Sequence, residues 1–360
     1  MNVTADLEAW VALALIPQVG SATQRRLLGA FGGPAAVLGA SNAALGRVVG
    51  ERLAVAIARG ADPEAVRASC AWAAAPDHHI VTLGDPAFPQ AFLEIPDPPT
   101  LLYVIGRLEL LQRPCLAIVG SRNPTQQGLI NAREFAQAIA QSGLTIASGL
   151  ALGIDAAAHQ GALATDASTI AVLGTGVDIR YPRRNAALYE EIAHRGAVLS
   201  EMPLGTAAQP GHFPRRNRLI SGIAKGCLVV EAAISSGSLI TARLAAEQGR
   251  EVFAIPGSIH SPLTQGCHAL IKQGAKLVES TADVIGELGN LGTVPSERAR
   301  PAPTAAAGAL LRHVGFDPID LDSLCRRSGL TPDIVSAMLL ELELSGHIAA
   351  LPGGRYVQLG

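Results

Sequence analysis

Lysine is nearly missing from this sequence: it occurs only at Lys225, Lys272 and Lys276, so arginine supplies almost all of the positive charge. Aromatic residues are scarce at 4%. Both features read as the mark of a GC-rich coding sequence and carry little functional weight. Charged residues reach only 16% against 49% hydrophobic, which excludes disorder as the general state of the chain. No apolar run approaches the roughly 20 residues that span a bilayer. The opening stretch from Met1 to Glu8 lacks the basic region and apolar core of a signal peptide. Five cysteines are scattered without a C-x-x-C pair, which argues against a zinc site or a disulfide frame. A cytoplasmic protein with reduced thiols and no membrane insertion is expected. The net charge of -2 excludes a molecule that is basic all over, so any nucleic-acid site has to be local.

What is present divides along the chain. With 360 residues the sequence exceeds a single core, and two or three domains are expected. Residues 1–75 read as a small helical domain, with Leu13, Ile16, Val19, Leu27, Leu28 and Phe31 at helical spacing. The run from Ile16 to Leu27 resembles a helix-hairpin-helix, although helical packing is its plainer reading. From 76 to 290 short apolar runs alternate with helical stretches, around 126–141, 154–164, 185–194, 216–225 and 238–248. Six of these runs (116–119, 144–147, 169–173, 197–199, 228–230 and 252–255) are apolar nearly throughout, as strands covered on both faces are. Such alternation predicts a Rossmann-like, doubly wound, mostly parallel α/β sheet. Residues 76–113 read as an extension packed on it. A linker rich in Pro and Ala is expected over 291–305, and a winged helix over 306–360.

Ligands of an open parallel sheet bind beyond the C-terminal ends of its strands, so the segments that follow each strand list the candidate site. They are Gly120-Ser121-Arg122; Ser148-Gly149 with Gly153; Gly174-Thr175-Gly176; Arg183-Arg184-Asn185; Phe213 with Arg215, Arg216, Asn217 and Arg218; and the loop from Glu231 to Thr241 with Ser238. Small-residue turns opening helices offer amides and a favourable dipole to phosphate. Arginines grip phosphate and a phenylalanine stacks a base, the two ingredients of single-strand binding. Asp155 and His159 share a helix face and read as a structural pair rather than as an acid and a base. Glu201 and Glu231 follow strands without a nucleophile or metal ligand beside them, and no G-x-S-x-G, H-x-x-x-H or P-loop pattern occurs. Binding without catalysis is therefore expected, with neither cofactor nor metal.

Several of these stretches closely resemble the bacterial DNA-processing protein A family (DprA/Smf). They are Ala117 to Arg122, Ser148 to His159, Ala171 to Gly176, Tyr181 to Asn185, Phe213 to Arg218, Val230 to Ala232, Ser236 to Ala242 and Ala254 to Gly257, in the family's order. The resemblance implies a Rossmann-like domain that binds single-stranded DNA, forms a homodimer and helps load the RecA recombinase in natural transformation or related recombination. It assigns phosphate contact to Arg122 and the Arg215–Arg218 cluster and base stacking to Phe213, with Arg183 and Arg184 on a loop often basic in the family. The dimer surface is expected on the apolar helix around His268, Leu270 and Ile271.

Two rivals are weighed. A Rossmann-fold nucleotide phosphoribohydrolase needs a catalytic Glu three residues after the Thr of its glycine loop, where this chain has Leu244. A winged-helix regulator needs a basic recognition helix, whereas the segment from Thr331 carries Glu341 and Glu343. That domain is expected to contact protein, or to hold DNA weakly through Arg326, Arg327 and Arg355.

Overall fold

The computed structural model describes residues 3–166, 168–288, 304–315, 319–345, 347–351 and 353–358. The first segment forms α1 (Val3–Ala14), α2 (Ser21–Phe31), α3 (Pro34–Leu38), α4 (Asn42–Val49), α5 (Glu51–Arg59) and α6 (Pro63–Trp72). Each is short because glycine or proline interrupts it, as at Gly20, Gly32 and Gly60. Their apolar faces do not close on themselves. Trp10, Leu13, Leu27 and Leu28 share one buried cluster with Leu102, Val104 and Ala117 of the sheet. Two polar side chains pin the seam: Gln24 accepts from the Thr100 hydroxyl, and Arg25 pairs with Asp97 at 3.0 Å.

The sheet consists of β1 (His78–Thr82), β2 (Leu101–Gly106), β3 (Cys115–Val119), β4 (Thr145–Ser148), β5 (Thr169–Val172), β6 (Ala197–Ser200), β7 (Gly226–Val229), β8 (Glu251–Ala254) and β9 (Lys276–Leu277). Their spatial order is β1-β2-β6-β5-β4-β3-β7-β8-β9. Strands β3 to β9 pair in parallel, joined through α7 (Gln126–Gln141), α8 (Ile154–Leu163), α9 (Ala186–Arg195), α10 (His212–Ile223), α11 (Ser238–Glu247) and α12 (Gln265–Lys272), with α13 (Thr281–Leu288) after β9. Along β3, Cys115, Ala117 and Val119 enter one core while Leu116 and Ile118 enter the other. Burial on both faces is why the run is apolar at every position.

Two expectations are corrected. Residues 76–113 do not lie over the sheet; they lengthen it, with β1 antiparallel to β2 and β2 antiparallel to β6. The helix expected from residue 216 begins at His212, because Pro214 sits in its first turn, where the missing N–H costs nothing.

The C-terminal segment forms α14 (Ala305–Val314), β10 (Ile319–Asp320), α15 (Leu321–Ser328), α16 (Pro332–Leu344), β11 (Ile348–Leu351) and β12 (Arg355–Gln358). Three helices pack on a sheet ordered β10-β12-β11 around their own core of Leu310, Leu324, Val335 and Leu339, which is the winged helix expected. The linker expected over 291–305 lies outside the described residues except for Thr304 and Ala305. Among the described residues no helix is long and apolar enough to cross a membrane.

Candidate nucleic-acid interface

Strand order reverses at β3: the chain runs outward through β4, β5 and β6, then returns to β3's other side with β7. The crevice at such a reversal is where this architecture receives ligands. A groove of about 630 Å³ opens there, lined by Arg122, Phe213, Arg216, Asn217, Ser238 and Ile240 among others. A smaller hollow of about 80 Å³ adjoins it, between Phe213, Tyr181 and the Leu173–Thr175 backbone.

Carboxylates from within the chain already engage the N-terminus of α7 and the loop that precedes α8. Glu231, at the end of β7, accepts from the amide and hydroxyl of Thr125 (2.9 and 2.5 Å), and Thr125 in turn caps α7 through Gly128 N at 3.0 Å. Asp155 folds back to accept from the amides of Gly149 and Ala151 (3.1 and 3.3 Å). The imidazole of His159 accepts from Leu150 N at 3.3 Å, and its other nitrogen meets Thr169 Oγ1 at 2.8 Å. From the opposite side Asn185 donates to the carbonyls of Leu150 and Ala151 (2.9 and 3.2 Å). Carboxylates therefore occupy the α7 N-terminus and the amides ahead of α8, two places where a Rossmann site would hold a nucleotide phosphate, while the start of α11 at Gly237 and Ser238 borders the groove without a side-chain cap. Asp155 and His159 hold one loop without touching each other. Burial raises the Asp155 pKa and lowers that of His159 to about 3, so the imidazole stays neutral and its ring nitrogens serve as acceptor and donor.

With these amides engaged, side chains supply the positive charge of the groove. Arg216 is 4% exposed. It donates to the Val172 carbonyl and lies against Gly149, where any Cβ would strike the guanidinium. Its Nε has no hydrogen-bond partner, yet the residue borders both cavities. Burial brings its pKa down to about 10, with Asp155 raising it and Arg122 lowering it further. It is still a cation at neutral pH, poorly solvated and beside a second cation. An anion placed between the two guanidiniums relieves both conditions. Arg122 is exposed, with its guanidinium 5.8 Å from the centroid of the Phe213 ring. That ring lies on Gly174, where a Cβ would come within 2.9 Å of it, and its centroid is 5.6 Å from that of Tyr181, tilted by 30°.

Helical periodicity divides the basic cluster. Phe213, Arg216, Asn217 and Ile220 share the groove face of α10. Arg215 and Arg218 point away and clamp Glu201: Arg215 Nε lies 3.2 Å from it, and Arg218 binds its other oxygen. Arg218 also reaches Asp97 at 3.6 Å, so ion pairs run from Arg25 in α2 to α10. Several other expected site residues brace the groove rather than line it. Ser148 donates to the Ile118 carbonyl at 2.6 Å, Gly176 donates to the Thr206 carbonyl at 2.9 Å, and Asn185 holds the loop already described. Gly120 lines the groove and packs against Ile154 and the Glu231 carbonyl, while Gly153 packs against Ser121 and Pro124. Ser121 lines the groove with its amide bound to the Glu231 carbonyl at 2.7 Å. Arg183 and Arg184 are exposed outside it. Ser238 lines it beside Ser236 Oγ at 2.7 Å. Tyr181, Gly174 and Ile240 also line these cavities. Gly174 belongs to a turn already read as part of the site, whereas Tyr181 and Ile240 give no sign in the sequence beyond falling in segments that follow strands.

Comparison with known proteins follows this geometry. The family model of the DNA recombination-mediator protein A matches residues 79–289, more than half of the chain. The chain belongs to the DNA recombination-mediator protein A family. The model of the DprA winged helix domain matches residues 294–354. Among relatives in this family, Protein Smf of Escherichia coli (strain K12) is 43% identical over 305 residues, covering 82% of this chain and 81% of that protein. DNA processing protein DprA of Streptococcus pneumoniae is 48% identical over 203 residues, covering 56% and 72%. The X-ray structure of the S. pneumoniae protein superposes with a TM-score of 0.61 at 38% identity, covering 79% of this chain and 94% of that one. A structure of DNA processing protein A from Helicobacter pylori, described by its unique single-stranded DNA binding mode, gives a TM-score of 0.54 at 32% identity over 58% and 95%. The mostly parallel Rossmann-like sheet and the C-terminal winged helix are therefore those of the recombination-mediator family.

The dimer expectation needs one correction. Leu270 is buried in the chain's own core, so it presents no surface to a partner. Ile271 is partly buried, and His268 leans on the Gly257 carbonyl at 3.1 Å.

Proposed function

We propose that this member of the recombination-mediator family binds single-stranded DNA in the groove at the strand reversal and leaves it chemically unchanged. The observation that carries the reading is the arrangement of Arg122, Arg216 and Phe213. Two guanidiniums and an aromatic face flank an open groove in which Glu231 already holds the start of α7 and Asp155 the amides ahead of α8. A free nucleotide would need those places, whereas a strand lying across the groove needs only side-chain cations and a stacking surface. The single-stranded DNA binding mode described for the H. pylori relative supports the same ligand. Further along the same reading, the chain protects incoming single strands, helps load RecA onto them in transformation or recombination, works in the cytoplasm and acts as a homodimer. The homodimer surface is assigned to the α12 end of the sheet through His268 and Ile271. Turnover is not part of the proposal. Glu231 caps α7, Glu201 is held by two arginines, and Leu244 stands where the hydrolase motif places its acid.

Anisotropy of labelled oligothymidine and of a matched duplex, titrated at two salt concentrations, tests the reading. Salt-sensitive binding that favours the single strand is expected, and Arg122→Ala lowers the salt slope by about 1 through one lost phosphate contact. Equal affinity for duplex, or none at low salt, refutes it. Phe213→Ala is expected to weaken binding by about 1–3 kcal/mol with the melting temperature little changed, since the ring packs on the groove floor and not in the core. An unchanged affinity removes Phe213 from the strand's path.

A further inference from the structure

The winged helix has a face that the DNA groove does not explain. Val335, Leu339 and Leu342 turn α16 into its own core, yet the opposite side is apolar as well. Ile334 is 44% exposed, Leu340 57% and Leu344 80%, and Ala337 is exposed between them. At 100° per residue these four fall within an arc of about 120° and extend about 15 Å along the axis. They therefore form an apolar seam, with Asp333 and Glu341 set within the same arc.

The charges beside this seam indicate what fits on it. Helix α16 carries Asp333, Glu341 and Glu343 and no basic residue. Glu341 is engaged, accepting from the amide and hydroxyl of Thr304 (3.0 and 3.1 Å) ahead of α14. Asp333 and Glu343 are exposed. Glu343 lies in the last turn, where the helix dipole disfavours an anion, so stabilising the helix does not account for it. DNA and anionic lipid would bring phosphate against these carboxylates. A second copy of α16 laid on the first would bring carboxylate against carboxylate. A protein helix with apolar residues along one side and arginine or lysine beside them meets both the seam and its charges.

We propose that the exposed face of α16 is a docking surface for such a cationic amphipathic helix of another protein. The partner helix covers Ile334, Ala337, Leu340 and Leu344 and sets its basic residues against Asp333 and Glu343. The winged helix then acts as an adaptor, joining the DNA-binding sheet to a protein while making no use of a DNA groove. The claim does not depend on what the sheet binds.

The test uses the full chain and two labelled helix-forming peptides of about four turns, with leucine along one face and either lysine or glutamate on its flanks. Anisotropy is expected to show the lysine peptide bound and the glutamate peptide unbound. Leu340→Ser with Leu344→Ser lowers the lysine peptide's affinity by about tenfold or more, while oligothymidine affinity stays as in the parent protein. Asp333→Lys with Glu343→Lys, which leaves the seam intact, shifts preference toward the glutamate peptide and guards against misfolding of the serine variant. The proposal is overturned if both peptides bind alike, if neither variant changes binding, or if Leu344 instead governs self-association in sedimentation.

Discussion

In an Arg216→Met protein the affinity for single-stranded DNA is expected to fall by about 2–5 kcal/mol, the loss typical of a buried, hydrogen-bonded charge. This exceeds what any exposed arginine of the groove contributes. Arg216 is already stripped of water and held by the Val172 carbonyl, so a phosphate meets it without further desolvation or ordering cost. Met fills similar volume and offers no donor. The same substitution removes the cation next to Asp155, leaving a buried carboxylate without its counter-charge, so the melting temperature falls as well. Adding Asp155→Asn restores it, because an amide oxygen still accepts from Gly149 and Ala151 N and carries no charge to neutralise. The doubly substituted protein therefore melts at or above the parent's temperature and still fails to bind. Titrations and melts of the four proteins in this cycle decide the matter. Parental affinity in Arg216→Met would show that the guanidinium is purely architectural.

The second large effect concerns acid. Folding keeps His159 neutral down to about pH 3, because burial opposes the charged ring and Arg216 adds to that opposition. In the unfolded chain the same imidazole takes a proton near pH 6.5. Below that pH the unfolded state holds the extra proton, so the contribution of His159 is complete above 6.5 and declines as pH drops toward 3. At pH 4 the loss is about 3 kcal/mol. Replacing His159 with Gln provides an acceptor for Leu150 N and a donor for Thr169 without a titration. Urea unfolding at pH 7 and pH 4 should then show a smaller pH difference in the variant than in the parent. An equal difference would mean that the ring is protonated in the folded protein, with the Gly149–Ala151 loop held by Asp155 and Asn185 alone.

The parallel sheet was legible because strands covered on both faces are written as unbroken apolar runs, such as Leu116–Val119, with helices between them. The antiparallel edge was not. Five prolines between His78–Thr82 and Leu101–Gly106 make that stretch read as irregular chain, and its pairing with β6 is long-range. A groove does open beyond the ends of the strands, where the sequence places the candidate site. How it carries charge was only half visible. The first helical turn containing Pro214 hid the period that turns Arg216 inward and sends Arg215 and Arg218 to Glu201. Nor can local sequence reveal that Asp155 and His159 bend back over residues 149–151, since that depends on where α8 docks. Gly149 and Gly174 were marked by their type alone. Their reason is the guanidinium and the phenyl ring lying directly on them, which only the packing of α10 reveals.

The reversal of strand order also dictates when the groove can exist. A ribosome makes Arg122, the Gly149–Ala151 loop and Asp155 well before α10 and β7. Until Gly226–Val229 pairs with β3, that strand, interior in the final sheet, is an open edge with unpaired backbone groups. Over that interval α7 lacks the carboxylate of Glu231, and Asp155 lacks Arg216, the larger of the two cations acting on it, until α10 docks. A nascent chain halted before β7 therefore has six of the nine strands and an open, unpaired edge on β3. Pairing of β7 with β3 thus closes the edge and carries Glu231 to the start of α7 in one step.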